Sequence, residues 1–200
     1  MAALRSLCVF CGSSPGSDPV YREGAVALGR ALAARRTALV YGGGNVGLMG
    51  TLSETVMQAG GEVIGVIPRA LLAREKGKRD ITRLEVVDTM HERKARMSEL
   101  CEGFVALPGG YGTLEEFCEV LTWSQLGIHA KPVALLNVNR FYDGFLALLD
   151  HAMREGFLQP RYRELVLVGD TPAALLDTMQ NWRPPPIEAW ARPGDAPLGT

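Results

Sequence analysis

The sequence predicts a doubly wound α/β fold, in which helices cover both faces of one parallel β-sheet. Short apolar runs recur along the chain and alternate with longer amphipathic segments. Continuous apolar runs of this length are typical of parallel strands that are buried on both sides. Turns rich in glycine or serine follow three of the runs, at residues 12–16, 42–50 and 108–112. A Rossmann-like sheet binds ligands at such turns, outside the carboxyl ends of its strands.

The periodicity places the elements in a regular order. Strands are predicted at residues 4–11, 38–41, 62–68, 84–87, 103–107, 133–136 and 165–168. Helices are predicted at residues 19–36, 51–59, 89–101 and 142–154, with another ending at Leu126, a last one from Thr171 and a single turn at 70–73. Asp18 before Pro19 is a typical helix start, and Thr89 with Glu92 matches a capping box.

Composition predicts one globular domain over residues 1–182 and an extended or disordered proline-rich tail over 183–200. The chain has 200 residues, 47% hydrophobic and 22% charged, with a net charge of −1. That charge argues against binding nucleic acid or a membrane surface electrostatically. Because no apolar stretch reaches membrane-spanning length and no signal peptide is visible, we expect a cytoplasmic protein.

The cysteine pattern fits the same compartment. Four cysteines are few for this length and are not arranged as a disulfide framework. Cys8 and Cys11 form a C-x-x-C pair within a predicted strand, where an odd separation directs them to opposite faces. We therefore expect neither a redox pair nor a zinc site, and no metal or cofactor elsewhere.

The segment Pro-Gly-Gly-Tyr-Gly-Thr-Leu-Glu-Glu, residues 108–116, is the strongest candidate for a binding site. It joins a predicted strand to a helix, so its glycines and the first amide groups of the helix form a natural phosphate site. Thr113 and Glu116 have the spacing of a capping box. Spacing alone favours that structural role over a catalytic glutamate.

The turn at residues 42–50 contains Gly42-x-Gly44-x-x-Gly47, which matches the dinucleotide fingerprint literally. The acidic residue that should end the next strand is missing, because Ile67-Pro68 stands there, and no Gly-Lys-Ser or Gly-Lys-Thr indicates a P-loop. The turns therefore suit a mononucleotide. The candidates for phosphate contacts outside residues 108–116 are Ser13, Gly43 and Gly44.

Three motifs in this order resemble one known family: GGGNVGLMG at residues 42–50, MHERK at 90–94 and PGGYGTLEE at 108–116. They resemble the LOG family, the cytokinin riboside 5′-monophosphate phosphoribohydrolases, whose members were often labelled lysine decarboxylases. The resemblance covers about residues 5–180. It implies a Rossmann-like fold, a homodimer, and hydrolysis of the N-glycosidic bond of an adenosine-type 5′-monophosphate to free base and ribose 5-phosphate.

By resemblance, Arg93 and Glu116 form the catalytic pair. The implied substrate-binding residues are Glu75, Met90, Arg93, Lys94, Gly109, Gly110, Tyr111, Gly112, Thr113, Leu114, Glu115, Glu116 and Thr122. Breaking a glycosidic bond develops positive charge on the ribose, which a carboxylate stabilises. We expect Glu116 in the first turn of its helix, where the dipole favours its charged form. Arg93 can hold phosphate or orient Glu116.

Alternatives remain at several positions. Arg93 at an early helix position is also consistent with a surface residue, since a cation gains nothing from the dipole there. The stripe of Phe117, Val120, Leu121 and Ser124 is core or, with Trp123 beside it, part of a dimer interface.

Two alternative activities use the same scaffold. A nucleotide-binding or cofactor-carrier protein would keep the phosphate turns without hydrolysis. Decarboxylation with pyridoxal phosphate needs a Schiff-base lysine, and none of the lysines is an evident candidate: Lys76, Lys78, Lys94 and Lys131. Whether the base is adenine or an N6-prenylated adenine stays open.

Overall fold

The computed structural model describes residues 4–72 and 80–185. Its strands are β1 (Ser6–Phe10), β2 (Ala38–Tyr41), β3 (Val63–Pro68), β4 (Arg83–Val87), β5 (Phe104–Ala106), β6 (Val133–Leu136) and β7 (Val166–Gly169). They form one sheet in the order β4-β3-β2-β1-β5-β6-β7, and every neighbouring pair is parallel. This arrangement confirms the predicted Rossmann-like sheet.

Helices alternate with the strands along the described chain. They are α1 (Pro19–Ala34), α2 (Gly47–Gln58), α3 (Arg69–Leu72), α4 (Met90–Glu99), α5 (Tyr111–Gln125), α6 (Asp143–Arg154), α7 (Pro160–Arg163) and α8 (Pro172–Asn181), with a 3₁₀ turn at Val138–Arg140. The chain leaves β1 toward β2, β3 and β4 and later returns to the other side of β1 at β5. The crevice between the ends of β1 and β5 is therefore the topological switch point.

Two apolar cores lie on opposite faces of the sheet. Side chains of α1, α2 and α8 pack on one face, and side chains of α4, α5 and α6 pack on the other. Successive residues of β1 alternate between them, so Cys11 belongs to the first core and Cys8 to the second. Both thiols are free and buried, and they lie in different cores, as their odd separation predicts.

Two helix starts confirm the capping predictions. Asp18 accepts a hydrogen bond from the Val20 amide at 3.0 Å, directly before Pro19. Thr89 accepts from the Glu92 amide at 3.1 Å, while the Glu92 carboxylate accepts from the Asp88 amide rather than from Thr89. Side-chain caps of this kind contribute about 1 kcal/mol each.

Two helix predictions need correction. Helix α2 begins at Gly47, four residues before the predicted start at Thr51, because the Leu48 amide donates to the Gly12 carbonyl of a distant turn. Helix α7 was not predicted. It is a single turn that begins at Pro160 and leads into β7, too short to carry a periodic pattern.

Some predictions lie outside the described residues. Glu75 belongs to this group, as do Lys76, Lys78 and residues 186–200 of the predicted tail. Within residues 4–72 and 80–185, no helix is both long enough and apolar enough to cross a membrane.

His129, between α5 and β6, is held in its neutral form by its surroundings. Its Nδ1 accepts from the Lys131 amide at 3.2 Å, so the proton lies on Nε2, which donates to the Val120 carbonyl at 3.0 Å. The ring packs 5.2 Å from that of Phe104. Burial, aided by the charge of Lys131, lowers the pKa of His129 from 6.5 to about 4.

Protonation of His129 should therefore destabilise the fold in acid. A depressed folded-state pKa contributes stability above pH 6.5, and this stability is lost as the pH falls toward 4. We expect the free energy of unfolding of wild type to fall by about 2 kcal/mol more than that of His129→Gln between pH 7.5 and 4.5. Urea denaturation measures this difference, and an NMR titration midpoint near 6.5 for His129 would contradict it.

Candidate active site

The three predicted turns meet at the carboxyl edge of the sheet. The Gly12 amide, after β1, donates to the Pro108 carbonyl, after β5, at 3.0 Å. The Leu48 amide, at the start of α2, donates to the Gly12 carbonyl at 3.0 Å. Gly12 therefore links the turn after β1 to the turn after β5 and to the turn after β2, across the switch point.

Close backbone contacts hold these turns together. A β-carbon on Gly109 would lie 2.1 Å from Thr113 Oγ1 and 2.9 Å from the Gly12 amide nitrogen. A β-carbon on Gly47 would lie 2.3 Å from the Ser13 carbonyl carbon, and Gly47 also has a positive φ of 56°. Side chains at either position would separate the turns.

Helix α5 begins earlier than the capping-box interpretation requires. Its N-cap is Gly110 and its first residue is Tyr111, with no side-chain cap, so Thr113 is the third helical residue. Thr113 is buried and its hydroxyl lies against Gly109. The prediction that Thr113 and Glu116 form a capping box is therefore wrong.

The start of α5 also corrects the expected location of Glu116. The Leu114 amide makes the first helical hydrogen bond, to Gly110, so the amides before it have no partner within the helix. Glu116 is the sixth residue, in the second turn. The helix dipole acts mainly on the first turn, so the charge of Glu116 depends chiefly on other neighbours.

A cavity of about 220 Å³ lies beside the N-terminus of α5. It brings together residues of all three predicted motifs with the turn after β1. Its lining residues are Cys11, Gly12, Ser13, Met49, Met90, Arg93, Gly110, Tyr111, Gly112, Thr113, Glu115 and Glu116.

Arg93 is a buried member of this cavity, which excludes the surface interpretation. It lies on α4 and is 7% exposed. Its Nε donates to the Val66 carbonyl at 3.2 Å, and Nη2 donates to the Gly42 carbonyl at 3.3 Å. Nη1 lies 3.8 Å from the sulfur of Met90. The carbonyl of Val66 within β3 and that of Gly42 after β2 thus fix the guanidinium plane.

Arg93 and Glu116 form a buried ion pair. Nη1 lies 3.9 Å from Glu116 Oε1, and the two side chains are 8% and 13% exposed. Both groups also line the cavity. At this distance a fixed guanidinium favours a negatively charged neighbour.

Lys94 pairs with two other carboxylates of α5. Its Nζ donates to Glu115 Oε1 at 2.6 Å and to Glu119 Oε1 at 3.0 Å. Burial lowers the pKa of Lys94, but the two carboxylates outweigh that effect and its pKa is raised overall. Lys94 therefore remains a cation that positions Glu115 at the cavity wall.

Other residues predicted for the site lie outside this cavity. Leu114 packs against the second core, and Thr122 donates to the Cys118 carbonyl on an apolar groove. Gly109 lines a neighbouring cavity of about 270 Å³, with Tyr21 and Phe141. Gly43 and Gly44 are buried and line neither cavity; a β-carbon on Gly43 would meet Ile67 and Leu84.

Sequence reasoning missed four residues that shape the site. Met49 and Cys11 line the cavity; burial raises the pKa of the Cys11 thiol, which disfavours the thiolate form. Gly42 supplies an acceptor for Arg93. Glu119 holds Lys94, and its helical spacing from Glu115 and Thr122 was a signal that could have found it.

Together these features define a Rossmann-like α/β protein with a cavity at its topological switch point. The first amides of α5, which have no partner within the helix, lie at this cavity together with the pair of Arg93 and Glu116. Comparison with known proteins then identifies the family. A family model described as "Possible lysine decarboxylase" matches residues 49–179. Two curated relatives cover most of the chain.

The first is the "Probable cytokinin riboside 5′-monophosphate phosphoribohydrolase LOGL2" of Oryza sativa subsp. japonica. It is 48% identical over 181 residues, 90% of this chain and 74% of the relative. The second is the cytokinin riboside 5′-monophosphate phosphoribohydrolase LOG7 of Arabidopsis thaliana. It is also 48% identical, over 90% of this chain and 83% of the relative. The chain belongs to the LOG family.

Solved structures share the fold at low sequence identity. The molybdenum cofactor binding protein of Rippkaea orientalis superposes with a TM-score of 0.65 and 22% identity, over 88% of this chain and 95% of that one. The molybdenum cofactor carrier protein of Chlamydomonas reinhardtii gives 0.64 and 21%, over 86% and 94%. These likenesses support the Rossmann-like architecture alone.

Proposed function

We propose that this protein hydrolyses the N-glycosidic bond of cytokinin riboside 5′-monophosphates, nucleotides of the adenosine type. The products are the free base and ribose 5-phosphate. The observation that carries the proposal is the pair of Arg93 and Glu116, which line one cavity beside the N-terminus of α5. The names of relatives that are 48% identical support it independently.

In this proposal the phosphate binds at the start of α5. The amides of Tyr111, Gly112 and Thr113 precede the first helical hydrogen bond of α5 and lie at the cavity. The positive end of the helix dipole attracts an anion there. Tyr111 is 94% exposed, so the backbone rather than its ring provides this contact.

Glu116 stabilises the transition state as a carboxylate. Cleavage of the C1′–N9 bond leaves positive charge on the ribose ring, which a nearby negative charge stabilises. Water supplies the hydroxyl group at C1′ and the proton that the departing base carries. Arg93 pairs with Glu116 and aims its carboxylate at the ribose.

Measurement of base release tests the proposal directly. The protein is incubated with AMP and with its N6-isopentenyl analogue, and free base and ribose 5-phosphate are quantified by chromatography. We expect release from at least the N6-substituted nucleotide, and much less from the corresponding nucleosides because they lack the phosphate. Binding of both nucleotides without release of base would contradict the proposal that the protein is a hydrolase.

A carrier function is the second candidate. Two solved structures that share this fold are named as molybdenum cofactor binding and carrier proteins. A carrier would need the helix amides but not a carboxylate beside the ribose. The buried pair of Arg93 and Glu116 favours the hydrolase, and the base-release assay separates the two functions.

Neither of the lysines that the structure describes is placed to form the Schiff base that lysine decarboxylation requires. Lys94 is held as a cation by Glu115 and Glu119, whereas a Schiff base needs a neutral amine. Lys131 donates to the Ser98 carbonyl at 2.6 Å. Neither amine lies in the cavity beside α5.

We also propose that the protein acts in the cytoplasm as a homodimer. All four cysteines are free, which suits a reducing compartment. An apolar groove of about 330 Å³ runs between α5, α6 and α7. None of the α6 residues is fully buried, and Leu148 in the groove is 59% exposed. A second copy covering the groove would also bury Thr122.

A charged side chain in the groove should prevent this association. We expect Leu148→Glu to be a folded monomer by light scattering, because an unpaired carboxylate is costly to bury. Val86→Glu is the matched control, since Val86 is 40% exposed on the edge strand β4, far from the groove. A monomeric wild type, or a dimeric Leu148→Glu variant, would contradict the proposed interface.

A further inference from the structure

Gly42, the residue that follows β2, is in contact with the buried guanidinium of Arg93. Its carbonyl accepts from Nη2 at 3.3 Å. A β-carbon on Gly42 would lie 1.9 Å from Nη2, 3.1 Å from Cζ and 3.6 Å from Nε. The three nearest atoms therefore all belong to Arg93, which occupies the space that a side chain would fill.

The backbone of Gly42 does not itself require glycine. Gly42 is not among the glycines with positive φ, whereas its neighbour Gly43 has a φ of 75°. The φ of Gly42 therefore lies outside the left-handed region in which L-residues are strained. The need for glycine at this position comes from the arginine, which lies 51 residues further along the chain.

The surroundings leave the guanidinium few ways to move aside. Val66 of β3 accepts from Nε at 3.2 Å, so movement away from Gly42 would lengthen that bond as well. Nη1 of the same guanidinium lies 3.9 Å from Glu116 Oε1, and Arg93 lines the cavity. A methyl group at Gly42 would therefore change the geometry of the arginine–glutamate pair.

We propose that Gly42 is a positioning residue for Arg93: it is glycine because the guanidinium occupies the place of its side chain, and its carbonyl orients Nη2 so that Nη1 faces Glu116. The effect on catalysis rests on the proposed function. The contact itself also affects stability, which can be measured without any activity.

A double-mutant cycle tests this role. Arg93→Lys keeps the charge but removes Nη2, the atom nearest to the added methyl group. We expect Gly42→Ala to lower kcat about 10²-fold with a smaller change in KM, since misplacement of a catalytic group by about 1 Å can have this effect. In the Arg93→Lys background, the same change should lower kcat by less than about 3-fold.

Thermal unfolding of the same four proteins provides the second readout. We expect Gly42→Ala to lower Tm by about 5 °C or more in wild type and by clearly less beside Arg93→Lys. Gly144→Ala on α6 is the control, because a β-carbon there meets nothing within 4 Å. It should match wild type in kcat and should not lower Tm, because alanine is the better helix former.

These experiments distinguish failure of the positioning role of Gly42 from failure of the proposed hydrolase function. If wild type releases no base, the hydrolase proposal fails, while the Tm cycle still decides whether Gly42 accommodates Arg93. If the losses from Gly42→Ala and Arg93→Lys are independent in both kcat and Tm, the positioning role is overturned. A third outcome is that Gly42→Ala lowers Tm only when Arg93 is present but leaves kcat unchanged. Gly42 would then have a structural role alone, and the proposal would also be overturned.

Discussion

Glu116→Gln is expected to lower base release by about 10² to 10⁴-fold, which corresponds to about 3 to 5 kcal/mol of barrier. The amide preserves the size of the side chain but removes the negative charge that would face the ribose. The side chain is 13% exposed, so water screens this charge poorly and the loss should be large. Chromatographic rates with AMP and its N6-isopentenyl analogue measure it.

Nucleotide binding should survive this substitution. The proposed phosphate contacts are backbone amides of α5, which the change at Glu116 leaves in place, so calorimetry should give an affinity for AMP near that of wild type. Glu99→Gln on α4 is the control, because Glu99 is exposed and pairs with Arg96. If Glu116→Gln releases base within about 3-fold of wild type, Glu116 is not the essential carboxylate.

Gly47→Ala is expected to lower the free energy of unfolding by about 3 to 5 kcal/mol. Part of the loss is backbone strain, because φ at Gly47 is 56°. The larger part is the collision of the new methyl group with the backbone of Ser13 and Ser14, at 2.3 to 2.5 Å, which would push α2 away from the turn after β1. Urea denaturation measures the change.

Gly60→Ala separates these two contributions. Gly60 also has a positive φ, of 75°, but a β-carbon there meets nothing within 4 Å. We expect a loss of about 1 kcal/mol, the cost of a left-handed conformation alone. Equal losses for Gly47→Ala and Gly60→Ala would show that the contact with Ser13 contributes nothing to stability.

The sheet could be predicted from the sequence because its determinants are local. Parallel strands buried on both faces must be continuous apolar runs, and alternation along β1 determined which core receives Cys8 and which receives Cys11. The caps at Asp18 and Thr89 involve residues two or three positions apart. Interactions this short in sequence leave a recognisable pattern.

The motifs also indicated which residues of the candidate site lie near one another. Turns that follow parallel strands meet at one edge of the sheet, so the turns after β1, β2 and β5 had to be neighbours. The resemblance to the LOG family added Arg93 and Glu116, and the cavity contains both. Their catalytic roles remain predictions.

Only the tertiary structure decided the details of that site. Helix α5 begins at Tyr111 because contacts of Gly109 with Gly12 and Thr113 determine the path of the turn, which no capping pattern reports. Arg93 and Lys94 are adjacent, yet Arg93 donates to backbone carbonyls of the sheet edge, whereas Lys94 donates to carboxylates of α5. The partners of Arg93 at Gly42 and Val66 are 51 and 27 residues away. Backbone carbonyls are the same for every amino acid, so the sequence carries no sign of these contacts until the chain is folded.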